Sequence, residues 1–228
     1  ALTRIGGSAV AALGRSVKGL VTEINETNAT WKTFTANMQM SGMGKAQINR
    51  TKKDLQNFAA KTIYSSKDMA STYAQLYAVN KKTTTGVVKG FGAVAAASEN
   101  PRQAMKTLST QATQMAAKPT VAWQDFKLML EQSPAGLSRV AAKMGMTTKE
   151  LVANVQAGKV KTEDFFKAME KAGNDKSLLA MAQQYKTVGE AAEGLRATLA
   201  TRLAPAFDVI SKAGVGAISG AMATLSSR

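Results

Sequence analysis

Between residues 45 and 210 the chain repeatedly starts a helix and then stops it. Apolar residues recur at spacings of three and four, and a Gly, a Pro or a Ser/Thr/Asn cap breaks the pattern every ten to twenty residues. Such punctuation allows many short amphipathic helices and forbids one continuous rod. No stretch alternates apolar and polar residues as a half-buried strand does. Composition agrees: 12 Met, abundant Ala and only 6% aromatic residues suit close helix–helix contacts better than a pleated surface. The expected fold is all-α, a compact bundle of short helices plus one longer C-terminal helix.

The individual signals are specific. Ile48, Leu55, Phe58 and Ala59 mark one helix face. Ser65 three residues before Asp68 predicts a capped start for a helix presenting Met69, Tyr73, Leu76 and Tyr77. Val87, Phe91, Val94 and Ala95 form a Gly-bearing helix that should pack closely. Asn100-Pro101 and Ser133-Pro134 each read as a cap followed by Pro at the first helical position, where its missing N–H costs nothing. Thr120 and Thr162 are expected to open further helices, and Thr147 with Glu150 makes a capping box. Gly145, Gly158 and Gly173 mark helix ends.

Residues 1–44 read as an N-terminal helical arm and loop. Val10, Leu13, Val17, Leu20 and Ile24 make a helical stripe, and Met38, Met40 and Met43 flank Gly42 and Gly44 in an expected loop. Residues 45–210 form the main module. Residues 211–228 are small and apolar, with Gly216 and Gly220 in G-x-x-x-G spacing, and read as the start of a continuation of a longer chain. The apolar run from Ala213 to Leu225 is shorter than the roughly 20 residues that span a bilayer. Before it, Leu178, Tyr185, Ala192 and Leu199 recur every seven residues on a helix expected to be about 25 residues long, which makes them a candidate oligomer seam. A fainter pattern relates Val121, Asp125, Phe126 and Glu131 to Val160, Asp164, Phe165 and Glu170, each 39 residues later.

The chain lacks the usual equipment of catalysis. It has no His and no Cys, so the commonest general base, thiolate nucleophiles and most transition-metal ligands are missing. Its acids are scattered, and the adjacent pair Glu163-Asp164 suits the first turn of a helix, where the dipole favours negative charge. Gly90-Phe91-Gly92 and Gly214-Val215-Gly216 complete no phosphate-loop motif. The reading is of a non-enzymatic protein without cofactor or metal.

Charge points to partners. The formal net charge is +15, and residues 45–90 hold nine cations against two acids, Asp54 and Asp68. Lys45, Arg50, Lys52, Lys53, Lys61, Lys67, Lys81, Lys82 and Lys89 are therefore candidates for binding a polyanionic partner. Residues 148–165 also permit a helix-turn-helix. A recognition helix carrying Glu163, Asp164 and Lys167 offers bases little and repels phosphate, so sequence-specific DNA binding is not expected.

Four segments, taken in order, resemble the conserved N-terminal module of bacteriophage tail tape measure proteins: LQNFAAKTIYSSKDMASTYAQLYAVN, FGAVAAASENPRQAMKTLSTQATQMAAK, the stretch from AWQDFKLMLEQSPAGLSRVAAKMG to KTEDFFKAMEKAG, and YKTVGEAAEGLRATLATRLAPAFDVI. The resemblance implies a structural component of a long-tailed phage or prophage, involved in tail length determination, tail assembly and genome ejection. Its partners would be tail tube and baseplate proteins and tail assembly chaperones, with homo-oligomers along the tail axis. The implied location is the tail lumen of the virion, and the host cytoplasm during assembly. Two alternatives from the residues stay open: a helical module binding nucleic acid non-specifically, and a membrane-perturbing domain that assists DNA entry. A ruler wants long unbroken helix, whereas these residues predict a compact module attached to one.

Overall fold

A computed structural model describes residues 26–184. The expected helix at residues 5–24, the small-residue tail and most of the seven-residue track lie outside the described residues. The described chain forms ten helices: α1 (26–40), α2 (Lys45–Lys61), α3 (Ser66–Val79), α4 (Thr85–Ala96), α5 (Pro101–Ala116), α6 (Trp123–Gln132), α7 (Pro134–Lys143), α8 (Thr148–Gln156), α9 (Thr162–Ala172) and α10 (Lys176–Gln183). The fold is all-α. Its only extended pairing among the described residues is an isolated antiparallel bridge between Thr120 and Lys161.

The centre is α4. Nine of its twelve residues are buried, Lys89 being its one charge, as expected for a helix surrounded by others. It packs against α9, α5, α10 and α7, and more lightly against α2 and α3. Glycine permits the closest crossings. A Cβ on Gly90 would collide with the Met169 carbonyl of α9, and one on Gly136 of α7 with the Val94 carbonyl of α4. Gly173 completes the first crossing, since its Cβ would stand 2.8 Å from the Gly90 Cα. Gly173 keeps a right-handed backbone (φ −60°), so close approach rather than a left-handed cap explains it. Gly42, Gly145 and Gly158 do have positive φ and turn the chain after α1, α7 and α8.

Two aromatic chains fill the core. Trp123, Phe126, Phe165, Phe166 and Phe91 touch in sequence through α6, α9 and α4, and Trp31, Phe34, Tyr73 and Tyr77 link α1 to α3. Apart from the half-buried Trp123, which packs against it, both belong to one cluster of buried residues running from Trp31 to Ala182. Trp31, Phe34, Met38 and Met43 lie in that cluster, so residues 26–44 share a core with the helices that follow. Met38 is on α1 rather than in a loop, and the turn is confined to residues 41–44.

Other expectations hold or fail for local reasons. Both capping boxes form, Ser65 with Asp68 and Thr147 with Glu150, and Asn100 accepts the Gln103 N–H. Ser133 does not cap α7. Its buried Oγ donates to the Val94 carbonyl at 2.6 Å, tying α7 to α4. Thr120 and Thr162 do not cap either: α6 starts from Ala122 and α9 from Lys161, neither with a side-chain cap. The two starts hold each other instead. Val121 N–H donates to the Val160 carbonyl at 2.9 Å, and Thr162 N–H to the Pro119 carbonyl at 3.0 Å. Two pairs of the 39-residue pattern thus meet in space, since Phe126 and Phe165 also stack edge-on at 5.9 Å. Finally, the backbone turns extended at Gln184, so α10 ends there and the helix expected to run on from Leu178 is broken at that residue.

Candidate polyanion-binding surface

The nine candidate cations do not form one face. Five lie on α2, whose buried side is Ile48, Thr51, Leu55, Phe58 and Ala59. At 100° per residue Arg50, Lys53 and Lys61 project from the opposite side, while Lys45 and Lys52 lie along one edge. Lys61 in the last turn is favoured by the helix dipole, but Lys45 in the first turn is not, and no acid accompanies it there. The charge on this helix is not explained by the stability of the helix.

The remaining cations have other surroundings. Lys89 of α4 reaches both carboxylate oxygens of Asp54 at 3.0 Å, and Thr85 Oγ1 donates to the same carboxylate. This bridge ties α2 to α4 and occupies the only acid on α2. Lys81 stands over the Tyr77 ring, 4.7 Å from its centroid. Lys82 is close enough to the start of α9 to help hold the Glu163 carboxyl below its ordinary range, an effect due first to the hydrogen bond from Lys167. That i,i+4 pair, 3.0 Å apart, lies on the exposed side of α9 while Phe165, Phe166 and Met169 are buried, so α9 is a core helix rather than a recognition helix. Lys67 is in the first turn of α3 and lines a broad groove with Ser65, Ser71, Gln75, Asn100 and Gln103.

A second, smaller groove of about 270 Å³ runs between α1 and α2. Lys32 and Asn28 of α1 and Lys52 of α2 line it, together with Thr35, Gln39 and Trp31. None of these described lining residues is acidic. Thr35 Oγ1 spends its proton on the Trp31 carbonyl at 2.8 Å. Trp31 itself is only 2% exposed, and its indole N–H has no hydrogen-bond partner among the described residues. Leaving such a donor unpaired costs on the order of 1–3 kcal/mol. Lys32 and Trp31 are not among the sequence candidates, because the charge run that marks those begins at Lys45. The spacing of Thr27, Trp31, Phe34 and Met38, alternately four and three, carried the signal.

Of the candidate oligomer seam, Leu178 is 2% exposed and buried in the protein's own core, and Tyr185, Ala192 and Leu199 lie outside the described residues. No described helix is long and apolar enough to cross a membrane.

Comparison with known proteins finds no match among curated proteins and none among solved structures. A family model described as "Tape measure protein" matches residues 22–208, which include every described helix and most of the chain. With that match spanning far more than half of its length, the chain belongs to the tape measure proteins, a structural, non-enzymatic family of phage tails.

Proposed function

We propose that this chain serves tail length determination, tail assembly and genome ejection as a folded module carried beside the ruler. The family match supports a role in the tail, and the helix lengths support the module. The longest described helix with both ends in view, Lys45–Lys61, has 17 residues, a rod of only about 25 Å. The helices also fold back on one core, so their lengths do not add. The module contacts tail tube and baseplate proteins and assembly chaperones, assembles with other copies along the tail axis, and sits in the tail lumen after assembly in the host cytoplasm.

The test is an in-frame deletion of residues 26–184 in the phage that encodes the chain, with tails measured by electron microscopy. A module beside the ruler predicts failed or rare tails of unchanged length. Tails shortened by roughly 1.5 Å for each residue removed would instead make this segment part of the measuring rod.

A further inference from the structure

We propose that the α1–α2 groove and the outward side of α2 together seat the phosphodiester backbone of nucleic acid. The inference stands apart from the tail-assembly reading and rests on four observations. Lys32 and Lys52 reach one groove from facing helices, with the amides of Asn28 and Gln39 beside them. The buried Trp31 lining it holds an indole N–H that pairs with nothing in the described protein. The described lining supplies no acid, and Asp54, the acid of α2, is bound by Lys89. From the groove, Arg50, Lys53 and Lys61 continue the positive charge along the exposed side of α2.

Donors and cations without an acid select an oxyanion. A groove of about 270 Å³ falls below the usual range for a drug-sized ligand or cofactor and suits one such group. The surrounding face decides what carries the oxyanion. Protein interfaces centre on apolar and aromatic residues and are depleted of Lys, whereas nucleic-acid interfaces are polar and positive. Among the described residues the exposed large apolar side chains are Met40, Val79, Leu128 and Met181; none is on α2, and α1 carries only Met40, its last residue. No exposed aromatic side chain is interleaved among the α2 cations for base stacking, so contact is with phosphates and indifferent to sequence.

The test is fluorescence anisotropy of a labelled DNA duplex of about 20 base pairs with the full 228-residue chain, titrated from about 50 to 200 mM salt. Affinity should fall steeply with salt. Lys32→Gln with Lys52→Gln should weaken binding at least about tenfold at low salt and reduce the log–log slope by about two. Arg50→Gln, Lys53→Gln and Lys61→Gln together should act in the same direction. Lys81→Gln with Lys82→Gln, a surface pair of equal charge, should change affinity less than about twofold. Trp31→Phe, which keeps an aromatic ring but loses the N–H, should weaken binding and leave the slope unchanged; circular dichroism reports whether each variant is folded. Failure of the full chain to bind, or equal losses from the Lys81/Lys82 pair, overturns the proposal. Polyglutamate of equal charge binding as tightly as the duplex also overturns it and assigns the face to an acidic protein.

Discussion

α8 and α9 are consecutive helices of 9 and 11 residues, and they are held by different means. α8 buries only Leu151 and Val155, and its start is fixed by a complete capping box in which Thr147 and Glu150 satisfy each other's backbone N–H groups. α9 has no side-chain cap at all. Its first residue, Thr162, has a buried hydroxyl without a partner among the described residues, and its start is pinned by backbone bonds to residues about 40 positions earlier. In return it buries Thr162, Phe165, Phe166, Ala168, Met169 and Ala172. A peripheral helix needs local instructions because few contacts would otherwise set its ends. A central helix can dispense with them, because its neighbours set its ends and supply most of its stability.

The sharpest way to break this contrast is to empty the core side of α9. Phe165 is fully buried between Phe126 and Phe166, so Phe165→Ala should cost about 3–5 kcal/mol in urea unfolding. A loss under about 1 kcal/mol would mean that α9 is not central. Gly90→Ala probes the backbone crossing. Alanine favours an exposed helix by about 1 kcal/mol, yet here its methyl meets the Met169 carbonyl, so the variant should lose about 1–3 kcal/mol. A raised melting temperature would refute the close approach of α4 and α9.

At the local end of the scale, Thr147→Ala should cost about 1 kcal/mol. Amide exchange should quicken in α8 while α9 keeps its protection. The same box predicts a small effect of acid. The Thr147 N–H and hydroxyl donate to the Glu150 carboxylate, at 2.7 and 2.9 Å, and hold its pKa below the ordinary value. The folded-state pKa is depressed, so this contribution is complete above the unfolded pKa and is lost as pH falls through the folded one. Carbon-detected titration should find Glu150 below the usual carboxylate range, and Thr147→Ala should move it upward.

These differences explain what could be read before the fold was known. Ser65 with Asp68, Asn100-Pro101, Thr147 with Glu150, and the left-handed Gly145 and Gly158 act within four residues, and each was legible. Ser133 looked the same in sequence as Asn100, but its hydroxyl is used 39 residues away on Val94, where sequence spacing says nothing. The candidate surface divided along the same line. Nine cations were visible as a charge run, whereas the pairing of Lys89 with Asp54, 35 residues apart, and the placing of Lys32 across from Lys52 depended on how helices meet.

The sequence by itself determined the all-α class, most helix boundaries, the absence of the usual catalytic side chains and the excess of positive charge. All of these follow from periodicity, capping and composition, which act over a turn or two of chain or need no geometry at all. Only the tertiary structure decided that α4 is the centre, that α1 shares the common core, that α6 and α9 start one another, and which cations remain on an open face. Those outcomes depend on which helix surfaces exclude water together, and that is set by contacts between residues far apart along the chain.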